Sequence, residues 1–292
     1  VSLRRMEYLL AVVEDRSFTR AAERLLVSQP ALSQQIRALE REVGGELLER
    51  LTRDVRLTPM GRAYLPHAQA AVSSARRARS AARAVGGLDE GELQIATVHS
   101  VALGVLPAAL HVWRRDHPGV ELVLREFSDG EELAAQMALG VADVAIGPRP
   151  STWDGPVRSL GHEEFVAVLP SGLLPGGGPL RLSELDGHDW VLFDRSNGLS
   201  TAVDEAFAAA GVRPGVAIRT QSTATALRLA ASGMGPVLVP GNVVPTGLAA
   251  DVRRLDPPWL RELVAYSRVR PTGPVAEFAE VLAEHGTLVQ TS

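Results

Sequence analysis

Residues 17–50 read SFTRAAERLLVSQPALSQQIRALEREVGGELLER, and the spacing inside that stretch decides how the front of the chain folds. Ser17 is placed to cap a helix whose buried face is Phe18, Ala21, Ala22 and Leu25. Ser28 caps the next helix, and Pro30 falls in its first turn, where a missing N–H costs little. Within this second helix Leu32, Ile36, Leu39 and Val43 recur every three or four residues, which stacks them on one inward stripe. Gln29, Ser33, Gln34, Arg37 and Arg41 are left to look outward. Upstream, Met6, Leu9, Leu10 and Val13 predict a further helix that closes a small core. Two helices joined by a tight turn, the second with a short polar and arginine-bearing face, have the geometry that fits a DNA major groove ~12 Å wide. Glutamine and serine near the helix start can read base edges, while Arg37 and Arg41 are better placed for phosphates. A polar outer face is also what any solvated helix presents, so the surrounding sequence must decide.

Charge is the first such neighbour. The 292 residues carry a formal net charge of only -4, but residues 1–88 hold 15 Arg against 9 acidic residues and the rest 15 against 25. A basic front on an acidic body suits a protein that meets phosphate at one end only. Cysteine is absent and all 30 basic residues are arginine. That removes disulfides, thiolate nucleophiles and lysine Schiff-base chemistry. No apolar stretch approaches the ~20 residues of a membrane span and no secretory signal is read, so a cytoplasmic location without membrane contact is expected.

The stretch quoted above, continued by RLTRDVRLTPMGRAYLPHA at residues 50–68, resembles the DNA-binding segment of the LysR-type transcriptional regulators. The resemblance implies a winged helix-turn-helix over residues 1–58, with residues 51–58 as a two-stranded wing and Arg53 at its tip. It implies DNA contacts from Gln29, Pro30, Ser33, Gln34 and Arg53, to which the helical spacing adds Arg37. The family usually has Arg at the position of Gln34 and Phe at that of Leu48. The first difference bears on base preference, because Gln favours adenine where Arg favours guanine. The second bears on packing.

From residue 59 to about 84 the sequence is rich in Ala and Arg, with Tyr64, Leu65, Ala68, Ala71, Val72 and Ala75 along one side. A helix of ~26 residues is ~39 Å long and wants a partner along its apolar stripe. The resemblance implies that this linker, residues 59–87, pairs two subunits and that the assembly is a homotetramer. Gly86, Gly87, Asp89 and Glu90 predict a hinge. Beyond it, strand-like runs at residues 93–97, 120–127 and 144–147 alternate with helical runs at 101–115 and 129–139, a βαβαβ pattern that implies a parallel sheet. A second set has strands at 165–169, 190–193, 216–220 and 237–240 with helices at 199–210 and 222–232. A last strand at 263–268 and a helix at 275–285 close the chain. The family resemblance implies a periplasmic-binding-protein-like α/β effector domain over residues 88–292, with subdomain I at 91–162 and 268–292 and subdomain II at 163–267.

Ligands of such sheets collect at the carboxyl ends of strands. Hydroxyls combined with helix starts point to Thr97, His99, Ser100, Ser128, Thr220 and Ser222, with Ser128 and Glu131 as a capping box. Loop residues Arg149, Arg195 and Asn197 are placed to add a charge or a hydrogen bond. The expected effector is an anionic or aromatic metabolite. Enzyme chemistry is not assembled: the seven histidines, at 67, 99, 111, 117, 162, 188 and 285, form no HExxH, and neither GxSxG nor GxxxxGK[ST] occurs. Glu163 and Glu164 read as an interdomain crossover. No catalytic residue, cofactor or metal ligand is expected; the expected partners are double-stranded DNA, the effector and further copies of the chain.

Overall fold

The computed structural model describes residues 2–50, 55–85, 91–286 and 288–289. Arg53 and the expected hinge at residues 86–90 lie outside them. The chain divides into an N-terminal unit built on Val1–Leu88 and a second unit built on Asp89–Met137 and Ala142–Ser292.

In the N-terminal unit, α1 (Leu3–Asp15), α2 (Phe18–Arg24) and α3 (Gln29–Val43) are followed by β1 (Leu48–Arg50), β2 (Val55–Leu57) and α4 (Pro59–Val85). Both expected caps form, Ser17 and Ser28 accepting from the backbone N–H groups of Arg20 and Ala31 at 3.3 Å. Leu9, Val12, Ala22, Leu32, Ile36 and Leu39 make the core. On α1 the centre of the buried face is Leu9 with Val12, while Met6, Leu10 and Val13 lie at its margin. The turn between α2 and α3 passes through Leu26 at φ 55°, a left-handed conformation in a non-glycine residue, with the side chain 93% exposed.

The first wing strand starts at Leu48, earlier than the expected 51, because Glu40 on α3 reaches the chain there. Its Oε1 accepts the N–H groups of Leu47 and Leu48 at 3.0 and 3.2 Å. Thr58 then joins the wing to α4: its hydroxyl donates to Glu46 O at 2.7 Å and accepts from Gly61 N at 2.9 Å. A Cβ at position 61 would lie 2.0 Å from the carbonyl oxygen of Leu47, so only glycine lets the first turn of α4 approach the wing root. At 27 residues, α4 is ~40 Å long. It runs through Pro66, a breaker by residue type that does not end the helix. The ring removes one N–H donor, and the helix continues on either side.

The second unit opens with β3 (Gly91–Val98), α5 (His99–Gly104), α6 (Leu106–Asp116), β4 (Val120–Phe127), α7 (Gly130–Ala138) and β5 (Val144–Pro148). β3 runs parallel to both β4 and β5, as the alternation requires. The chain continues through β6 (Val157–Leu169), β7 (Asp189–Phe193), α8 (Leu199–Ala210), β8 (Gly215–Thr220), α9 (Thr223–Ala231), β9 (Val237–Pro240), β10 (Asp251–Tyr266) and α10 (Pro274–His285). α10 returns to pack on α6 of the first subdomain, where the rings of Trp113 and Phe278 meet edge to face at 6.0 Å.

The sheet differs from the expected pair of separate ones. Six strands join in the order β4-β3-β5-β10-β6-β9, with β7 and β8 as a parallel pair beside them. β6 and β10 are 13 and 16 residues long and pair antiparallel along most of their lengths. Both therefore pass from one subdomain into the other. Their charged middles, Glu163 and Glu164 in β6 and Arg261 and Glu262 in β10, hide them from an apolar pattern search. The second subdomain packs Phe165, Trp190, Phe193 and Phe207 into its core. Among the described residues no helix is long and apolar enough to cross a membrane.

Candidate functional site

The outer face of α3 presents Gln29, Pro30, Gln34, Arg37 and Arg41, all exposed. Ser33, expected on the outer face, turns inward. It is 4% exposed, and its hydroxyl accepts a hydrogen bond from Gln29 Nε2 at 3.1 Å. Position 33 follows Leu32 by 100° around the helix axis, so a small side chain there is covered by the neighbouring core and acts on Gln29 instead of on solvent. Toward the end of α3, Gln34, Arg37, Glu40, Arg41, Gly44, Gly45 and Glu46 line an open depression of about 540 Å³. Three of these side chains carry donors, and Arg41 Nε donates back to the carbonyl of Arg37 at 3.4 Å. The result is a convex polar ridge with a shallow flank, held rigidly by the apolar stripe behind it.

In the second unit a crevice separates the two subdomains, lined by His99, Ser100, Ser128, Asn197, Gly198 and Arg261 among others. It holds about 10 Å³ of room for solvent, the space of roughly one water. A direct backbone bond keeps it shut: Gly198 N donates to Ser128 O at 2.8 Å. The contact is close enough that a Cβ on residue 198 would meet Asp129 Cα at 2.8 Å.

Of the nine residues expected at or beside an effector, His99, Ser100, Ser128 and Asn197 line this crevice, and Thr97, Arg149, Arg195, Thr220 and Ser222 do not. Thr97 is buried in β3 and donates to Ile146 O at 2.7 Å. Arg149 is engaged by Glu262 on β10 through two bonds of 2.7 and 2.9 Å. The same carboxylate accepts from Ser159 at 2.8 Å, and these donors, Arg149 foremost, hold its pKa down to about 2. Thr220 accepts from Ser222 N at 3.2 Å, and Ser222 caps α9 by accepting from Thr225 N at 3.2 Å.

The helix starts that were expected to offer N–H groups to an anion are largely closed by their own side chains. Asn197 Oδ1 accepts from Leu199 N at 2.8 Å and its amide donates to Gln221 O at 2.7 Å. The expected box of Ser128 with Glu131 does not form, and Asp129 and Glu132 take its place. Glu132 N donates to Asp129 Oδ1 at 2.8 Å while the Glu132 carboxylate accepts from Ser128 N at 3.0 Å, and Glu131 instead accepts from Ser151. At the rim, His99 Nδ1 lies 3.0 Å from Glu126 Oε2.

The cation in the crevice is Arg261, which the sequence did not single out. It stands directly across the β10–β6 ladder from Glu163. Its Nε and Nη2 lie against Glu163 Oε1, and Nη2 also donates to Ser100 Oγ at 3.3 Å. The guanidinium carbon sits 5.5 Å from the centroid of the Phe165 ring, a cation–π contact. Glu163 is buried, and its second oxygen, Oε2, has no hydrogen-bond partner. The available signal was opposite charges in two runs whose pairing is set by register, which a single sequence does not display. No group of three or more potential metal ligands occurs among the described residues.

Two family models match the chain: "Bacterial regulatory helix-turn-helix protein, lysR family" over residues 3–62 and "LysR substrate binding domain" over residues 86–287. The chain is similar to the "Probable cat1 operon transcriptional activator" of Acinetobacter lwoffii, 32% identical over 248 residues, covering 83% of this chain and 81% of that protein. It is also 30% identical over 294 residues to the HTH-type transcriptional regulator IlvR of Caulobacter vibrioides, covering 98% of this chain and 99% of the relative. The fold matches the crystal structure of CbnR, a LysR family transcriptional regulator, with a TM-score of 0.73 at 24% identity, covering 97% of this chain and 99% of that one. Full-length CbnR complexed with its target DNA matches with a TM-score of 0.56 at 25% identity over the same shares. With one model on the helical head and the other over most of the remainder, the chain belongs to the LysR family of transcriptional regulators.

Proposed function

We propose that this regulator binds double-stranded DNA through α3 and changes that binding when a small anionic or aromatic metabolite enters the crevice. The observation that carries the reading is the exposed row Gln29, Gln34, Arg37 and Arg41 on a rigid helix in the basic end of the chain. In this reading α3 lies in the major groove, with Gln29, Pro30 and Gln34 toward base edges, Ser33 fixing the Gln29 amide, and Arg37 on a phosphate. Arg53, outside the described residues, is assigned to the minor groove on the family resemblance alone. Residues 1–58 form the reading head and residues 59–87 the helix that pairs two subunits, with dimers joining into tetramers. Residues 88–292 form the effector-binding part in the cytoplasm. His99, Ser100, Ser128 and Asn197 touch the effector. With room for one water, the crevice must open to accept a metabolite, so ligand binding and subdomain separation are one event. CbnR, which shares the fold, is known in complex with its target DNA, and that supports the placement of α3.

The test is fluorescence anisotropy of the full chain with duplexes from its own promoter region at several salt concentrations. Arg53→Ala weakens binding and lowers the slope of log affinity against log salt by about one charge. Retention of no duplex at low ionic strength, with or without metabolite extract, would sink the regulator reading; an unchanged slope would remove Arg53 from the interface.

A further inference from the structure

We propose that Arg261 selects a carboxylate as effector, and that Glu163 is an internal carboxylate occupying Arg261 until the effector arrives. This rests on the crevice being the effector site and goes further by naming the charge it takes and the residue that competes for it.

A guanidinium keeps its proton in proteins, so a buried arginine must be matched by an anion. The side chain of Arg261 is 14% exposed and that of Glu163 is fully buried, so the pair is shielded from water on nearly all sides. The match is incomplete. Arginine and carboxylate pair best through two parallel N–H···O bonds that use both oxygens. Here both donors converge on Oε1 while Oε2 is left without a donor. Nη1 has no hydrogen-bond partner among the described residues, and the arginine lines the crevice. A carboxylate entering from the crevice can pair with Nη1 and Nη2 through both oxygens, with the Ser100 hydroxyl beside it, once Nη2 is drawn away from Glu163 Oε1. The internal carboxylate holds Nε and Nη2 only, so Nη2 is the donor the two carboxylates compete for.

Charge then limits the class of ligand. Arg261 is the one arginine among the crevice residues. One ligand carboxylate can take it over as counter-charge, and a second would enter a site of low polarity without a partner. The fitting ligand is a small monocarboxylate. Its uncharged amide does not fit, because it offers the guanidinium one acceptor and no charge. The position of the pair gives this exchange a mechanical reading. Glu163 and Arg261 sit on the two strands that pass through both subdomains, and Ser100 sits on α5 of the first. Moving Arg261 from Glu163 toward the crevice changes a cross-strand contact at the crossover itself.

The experiment uses the full chain with acetate, propionate, butyrate and benzoate, each beside its amide, at constant ionic strength, read by isothermal calorimetry and thermal shift. At least one carboxylate binds the wild type while its amide does not. Glu163→Gln, which removes the internal competitor, binds the same carboxylate at least fivefold more tightly. Arg261→Gln leaves Glu163 buried without a counter-charge and is prone to misfold, so the double variant Glu163→Gln/Arg261→Gln is the decisive control. It folds with an uncharged crevice and binds none of the carboxylates. The proposal is overturned if the double variant still binds, if amides bind as well as acids, if Glu163→Gln gains no affinity, or if no carboxylate binds either protein. Its response on promoter DNA to a metabolite extract, measured alongside, tests the effector reading separately: a response with no carboxylate bound sinks this proposal alone.

Discussion

The outer face of α3 and the crevice of the second unit handle polar groups in opposite ways. On α3 the side chains proposed to meet DNA stand in solvent on a helix whose stability comes from the stripe behind them, so the face is available and nothing must move to use it. In the crevice Arg261, Glu163, Ser100 and Asn197 are already bonded to one another or to backbone, and the two walls touch through Gly198 and Ser128. Binding there exchanges existing partners for new ones. A surface made for a polyanion that arrives with its own hydration can stay open; a site that must report the presence of a small molecule gains from having something to give up.

Substitutions can break or sharpen that contrast, and the largest effect is expected where the reading head is assembled. Gly61→Ala puts a methyl group into the carbonyl of Leu47. The wing root must shift, at a cost of about 3 kcal/mol, measurable by urea unfolding, with DNA affinity falling in parallel. Next, Gln34→Arg leaves stability untouched and moves preference at one base position from adenine toward guanine by about tenfold. Selection from a randomised duplex library reads this, and an unaltered site would mean that α3 is not in the groove. In the second unit, Arg149→Ala frees Glu262. That carboxyl is held at about 2 in the fold against an ordinary 4.5, so its contribution is full above pH 4.5 and is lost as pH falls toward 2. Half of Arg149 faces water, and screening makes the expected loss at pH 7 small. Wild type and variant should converge in stability near pH 2; parallel curves would show that the ion pair does nothing. The smallest change is Leu26→Gly, which relieves a left-handed residue that makes little contact. A gain of about 0.5 kcal/mol remains after the greater freedom of glycine in the unfolded chain is subtracted.

Legibility in the sequence followed the range of the interactions. Caps at Ser17 and Ser28, the stripe on α3 and the βαβαβ alternation depend on residues a few places apart, and each forms as expected. Ser33 faces inward because a small polar residue beside Leu32 falls at the margin of the stripe, where spacing alone does not decide. Thr97 and Arg149 are the right residue types near strand ends, but β5 and β10 claim them through Ile146 and Glu262, partners 49 and 113 residues away. Arg261 was missed for the same reason. Its meaning comes from standing opposite Glu163, 98 residues earlier, and register between distant strands is not written in either strand by itself.

In the proposed function, the bond from Gly198 to Ser128 also sets how fast the protein responds. A cleft with space for one water admits no metabolite during its closed lifetime, so capture waits on the breaking of that contact. The observed rate of association therefore rises with ligand concentration only until it equals the rate of spontaneous opening, and then levels off. Beyond that level more metabolite fills a larger fraction of molecules without filling any of them sooner, which makes the latch a timer as well as a seal.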